Sequence, residues 1–63
     1  MRTQNELLKD MIIKARGLDY KIRYTSLWFE FYKNGVRRIR VRRAYNDYTI
    51  SDAEYDRQMA RIK

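Results

Sequence analysis

The stretch FYKNGVRRIRVRR, Phe31–Arg43, joins a hairpin signal at Asn34-Gly35 to five arginines in seven residues. Asn-Gly between two alternating runs is the strongest short signal for a hairpin. Two loops are available, and they give opposite registers. A two-residue turn sets Lys33 opposite Val36, and then Phe31 opposite Arg38 and Phe29 opposite Arg40, with aromatic rings against guanidinium groups. A three-residue loop, Lys33-Asn34-Gly35, sets Tyr32 opposite Val36, Phe29 opposite Ile39, Leu27 opposite Val41 and Glu30 opposite Arg38. A slip of one residue sends every side chain to the other face. The three-residue loop is therefore expected, with Gly35 in the left-handed region.

In that register Leu27, Phe29, Phe31, Ile39 and Val41 share an inward face. Arg38, Arg40 and Arg42 point outward beside Trp28, Glu30 and Tyr32. Arg37 and Arg43 fall on the inward parity at the strand ends, where long stems reach water.

Upstream, Tyr20-Lys21-Ile22-Arg23-Tyr24 has its apolar residues at even positions, whereas from Leu27 they are odd. The change of phase at Thr25-Ser26 is met either by a bulge in one long strand or by a tight turn between two. Three short strands would make a more stable sheet than two. Thr3-Gln4-Asn5-Glu6 reads as a capping box. Leu7, Leu8, Met11, Ile12 and Ala15 then recur at helical spacing, which predicts a helix over about 4–16. Gly17 is the expected left-handed stop, with Leu18 folding back onto Ile13.

Downstream, Ala44-Tyr45-Asn46-Asp47 reads as a turn or loop. Ser51-Asp52-Ala53-Glu54 is a second capping box, Ile50 can staple to Tyr55, and Tyr55, Met59 and Ile62 form the stripe of a helix over about 52–62. Tyr20, Tyr24 and Tyr55 are expected at the core or its edge, while Tyr45 and Tyr48 either cover the sheet end or form a contact patch. The expected architecture is α+β: a small single-layer antiparallel sheet of two or three strands with an N-terminal and a C-terminal helix on one face. The order is αβββα or αββα, in one domain over residues 1–63. Length and order are similar to the double-stranded-RNA-binding domain. That family starts its second helix with lysines, whereas SDAEYDRQ here is acidic, so none of its sites transfers. The tail YTISDAEYDRQMARIK is similar to short helical segments at the ends of small bacterial proteins. A capping box and staple account for it, and no family is assigned.

The chain has no Cys and no His. Disulfides, thiol nucleophiles, Cys/His zinc sites and His-dependent triads are thereby excluded. Asp52, Glu54 and Asp56 complement a helix start, no glycine-rich phosphate loop is present, and no enzyme, cofactor or metal site is expected. No apolar run reaches membrane-spanning length and no signal-peptide pattern opens the chain, so no membrane partner and a cytoplasmic location are expected.

The net charge of +7 is concentrated in residues 20–45, where eight cations meet a single carboxylate, Glu30. A polyanionic partner relieves such self-repulsion. The candidate site is accordingly the open sheet face with Lys21, Arg23, Trp28, Tyr32, Arg38, Arg40 and Arg42. Guanidinium groups there can contact phosphates, and aromatic rings can stack on bases or under arginines. The expected function is non-catalytic binding of nucleic acid, DNA or RNA. The alternative is a small phage-type inhibitor that binds a host nuclease or CRISPR effector, meeting an acidic protein surface or a protein–nucleic-acid complex. A homodimer is compatible with either.

Overall fold

The computed structural model describes residues 1–43 and 46–63. The expected loop at Ala44-Tyr45, and the role read for Tyr45, lie outside the described residues. The chain order is β1 (Arg2–Thr3), α1 (Gln4–Gly17), β2 (Lys21–Tyr24), β3 (Trp28–Lys33), β4 (Val36–Arg42), β5 (Thr49–Ile50) and α2 (Asp52–Met59). Strands β2-β3-β4 form one antiparallel sheet, and β1 and β5 pair in a second, two-stranded one. The α+β expectation holds, with two helices on the apolar face of a three-stranded sheet.

Thr3 caps α1 as expected, its Oγ1 accepting from the Glu6 amide at 3.2 Å. The two amides before it are filled from the far end of the chain. Gln4 N–H donates to the Tyr48 carbonyl at 2.8 Å, and Asn5 N–H to Asp47 Oδ1 at 3.0 Å. Three donors that every helix start leaves unpaired are thus satisfied, and the β5 segment is tied to α1. The helix runs one residue past the expected end, because the left-handed residue is Asp19 (φ 64°) and not Gly17. Tyr20 N–H donates to the Ala15 carbonyl at 2.9 Å and Asp19 N–H to Arg16 at 3.3 Å. This pair of hydrogen bonds is the Schellman closure, and Asp is among the residues that best tolerate that backbone region. The apolar contact that accompanies it is Tyr20 with Ala15, both buried. Ile13 and Leu18 are exposed instead.

At Thr25-Ser26 the tight turn prevails. Trp28 N–H donates to Thr25 Oγ1 at 2.8 Å, Thr25 N–H donates to the Trp28 carbonyl at 2.9 Å, and Tyr24 lies opposite Phe29. The second hairpin corrects the register. Asn34 (φ 54°) and Gly35 (φ 75°) both sit at positive φ, as a type I′ two-residue turn requires, and Lys33 faces Val36. Parity is restored one step later by a bulge: Tyr32 faces Arg37 but Phe31 faces Ile39, which leaves Arg38 as the extra residue. Beyond it Glu30 faces Arg40, Phe29 faces Val41 and Trp28 faces Arg42. The expected inward set survives with its partners moved by two. Leu27 is the exception, since it belongs to the turn and is exposed. A primed turn matches strand twist better than a longer loop, and one bulge is enough to set Phe31 and Phe29 opposite Ile39 and Val41.

The core joins Leu7, Met11 and Ala15 of α1 to Tyr20, Phe31, Ile39, Ile50 and Ile62, with Ile22, Phe29, Val41, Tyr55 and Met59 packed around it. Ser51 caps α2 through its Oγ, which accepts from Glu54 N–H at 3.1 Å. The helix ends at Met59, earlier than expected. Tighter turns, from Arg61 N–H to Gln58 and Ile62 N–H to Met59, still carry Ile62 into the core. Two polar links lock α2 to α1: Tyr55 donates to Asp10 Oδ2 at 2.5 Å and Lys14 Nζ to the Met59 carbonyl at 2.8 Å. The Asp10 bond, with burial second, pushes the Tyr55 phenol above its usual pKa. Tyr24 is more exposed than expected; its ring meets Phe29 edge-on at 5.2 Å. No helix is long and apolar enough to cross a membrane among the described residues.

Candidate nucleic-acid interface

Alternation along three strands builds the outer face. Ile22, Phe29, Phe31, Ile39 and Val41 turn to the helices, so their neighbours must turn away. Three cross-strand rows result: Lys21–Tyr32–Arg37, Arg23–Glu30–Arg40, and Trp28–Arg42. Lys21, Arg23, Trp28, Tyr32, Arg40 and Arg42 are therefore brought together. Arg38 stands at the bulge, exposed.

Two kinds of arginine occupy this face. Glu30, its side chain only 12% exposed, holds Arg37 Nη1 at 3.2 Å and Arg23 Nε at 4.0 Å. The expected partner, Arg38, is displaced by the bulge. Arg40, directly opposite Glu30, turns aside onto Trp28, with Cζ 4.0 Å from the ring centroid; Arg42 lies at 5.8 Å from the same ring. A guanidinium stacked on indole keeps its in-plane N–H donors free for a ligand while losing rotamer freedom beforehand. Among the described residues Lys21, Arg38, Arg40 and Arg42 make no ion pair.

Arg37 is the residue that sequence reading placed on the wrong side. The bulge puts it opposite Tyr32, on the outer face. The preference of Asn-Gly for a two-residue loop was the available signal. Lys33 leaves the face altogether: its Nζ lies 5.1 Å from the Tyr20 ring and donates to the Lys63 carbonyl at 3.3 Å. Arg43 turns to Phe29, 5.7 Å from its centroid. The acidic start of α2 is internally engaged, with Glu54 bonded to Gln58 and Arg57, which hold its carboxyl below the usual range.

Chemically, the outer face offers, among the described residues, several cations without an ion pair around one half-buried indole, and its carboxylate, Glu30, is already shared by two arginines. It can take phosphate oxygens, in-plane and bidentate, and a flat group beside Trp28 or Tyr32. Compared with known proteins, the chain matches no family model, no curated protein and no solved structure.

Proposed function

We propose that the chain is a non-catalytic nucleic-acid-binding domain of the cytoplasm that contacts phosphates through its outer sheet face. Lys21, Arg38, Arg40 and Arg42 supply the contacts, Trp28 holds Arg40 in place and gives a base an apolar neighbour, Tyr32 stacks at the other end of β3, and Arg23 contributes less because Glu30 shares its charge. The observation that carries the reading is the pair Arg40 and Arg42 gathered on Trp28 and, among the described residues, engaged in no ion pair. Phosphate contact is sequence-independent, so no base specificity is assigned.

The salt dependence of binding to a short oligonucleotide tests it. Each neutralised phosphate contributes about −0.7 to −0.9 to the slope of log K against log salt, so three to five contacts give roughly −2 to −4.5. Replacing Arg38, Arg40 and Arg42 together by Gln should flatten that slope by about two to three units. Arg23→Gln should flatten it by less than one unit, since Glu30 already shares that charge. Trp28→Ala should lower affinity without removing a counterion. A triple variant that binds as the parent does, or a parent that binds neither DNA nor RNA at low salt, would sink the reading. Loss of an acidic protein target, without that slope, would point to the inhibitor instead.

A further inference from the structure

The basic face uses only one side of the sheet. On the other side the flank of α1 leaves Phe29 partly uncovered, and a cleft of about 440 Å³ opens between them. That volume lies within the range of ligand-binding clefts, about 300–1,000 Å³. Its apolar lining is Leu8, Ile12, Ile13 and Phe29. Ile13 is 61% exposed, and Tyr24, edge-on to Phe29, carries the apolar surface outward at 52%. Apolar surface gathered in this way, with a charged rim, marks an interaction site more often than scattered exposed residues do.

Shape and charge identify the occupant. The lining residues of α1 run from Asn5 to Arg16, about 16 Å at a rise of 1.5 Å per residue. That is the length of three helical turns laid alongside. Both charged residues that line the cleft are cations, Lys9 and Arg16, and Arg43 leans over Phe29; the Asp47 carboxylate at one end is taken up by the Asn5 N–H. A second copy of this chain would set the same cations near one another on molecules of net charge +7, which disfavours self-association. We propose that this cleft docks an acidic amphipathic helix from a partner protein. Its apolar anchors, at helical spacing, pack over Ile12, Ile13 and Phe29, and its carboxylates meet Lys9, Arg16 and Arg43. The domain then has two faces of different chemistry, one for phosphates and one for an acidic helix.

A random peptide library displayed on yeast, selected against the intact protein, tests the assignment. Enriched peptides should carry apolar residues at i, i+3 or i+4, and i+7, with an excess of Asp and Glu. Ile13→Gln, at an exposed position, should fold as the parent does and weaken a selected peptide about tenfold, the loss of one apolar anchor. Lys9→Glu with Arg16→Glu should turn the selection toward basic peptides. The Arg38, Arg40 and Arg42 triple Gln variant should bind the same peptides as the parent, which separates this cleft from the basic face. The proposal is overturned by no enrichment, by peptides lacking either the spacing or the acidic excess, or by selected peptides indifferent to Ile13→Gln. Loss of the peptides in the triple variant would assign them to the basic face. A dimer in sedimentation that Ile13→Gln dissolves would assign the cleft to a second copy.

Discussion

Phe31 and Glu30 are neighbours in β3, yet they answer to opposite demands. Phe31 is fully buried among Leu7, Met11 and Ile39, on the face where a mismatched side chain would break the core. Glu30 lies on the other face, where it is hemmed in by Arg23 and Arg37, with Arg40 opposite it stacked on the half-buried Trp28. Alternation thus places stability and contact chemistry one residue apart. The inner face has few degrees of freedom left, whereas the outer face can be rewritten with little effect on folding. Exposed ion pairs contribute only about 0–1 kcal/mol each.

The largest test of this contrast is Phe31→Ala. It should destabilise the domain by roughly 3–5 kcal/mol, enough to leave a chain of this size largely unfolded in thermal melts monitored by circular dichroism. Trp28→Ala, on the opposite face, should lose a fraction of that. A larger loss at Trp28 would mean that the two faces are exchanged.

Gly35→Val comes next, at about 1–3 kcal/mol, because the residue sits at φ 75° and a β-branched side chain is strained there. The positive φ of Gly35 was legible in the sequence, and so was the division of β3 and β4 into two faces. The path to it was not. Parity arguments see only whether Ile39 and Val41 fall inward. A three-residue loop and a two-residue turn followed by a bulge both achieve that. The choice rests on backbone twist at Asn34-Gly35, which leaves no mark on the apolar pattern. Arg37 was lost to the site for the same reason. The caps at Thr3 and Ser51 were readable because each is a local bond between residues three apart. The Asp47 and Tyr48 contacts with the start of α1, by contrast, span more than forty residues. The apolar cleft also escaped, since Ile12 and Ile13 in sequence look like any helix stripe.

A smaller effect with the opposite sign is expected at Gly17. It is the last residue of α1, its φ is not positive, and nothing stands within 4 Å of where a Cβ would be. Gly17→Ala should raise stability by about 0.5–1 kcal/mol, since the closure has passed to Asp19 and glycine there only adds backbone entropy to the unfolded chain. Loss of stability would return the left-handed role to Gly17.

The smallest effect is expected from removing Arg38 altogether, and it tests the register most directly. The extra residue has no cross-strand partner and is exposed. Without it, Arg37 still faces Tyr32, Ile39 still faces Phe31, and every pair beyond keeps its place, now in an unbroken ladder. The change in stability should stay within about 0.5 kcal/mol, as for surface changes away from packed features, or roughly 2–4 °C in Tm for a domain of this length. Deleting Arg40 is the contrasting case. It leaves the bulge in place and sends Val41 outward while Arg42 comes to face Phe29, so it should unfold the domain. Had the hairpin used a three-residue loop, loss of Arg38 would have turned Ile39 and Val41 to the outer face and been as damaging as loss of Arg40. Equal destabilisation by the two deletions would therefore remove the bulge from the description, and with it the place of Arg37 beside Glu30 on the basic face.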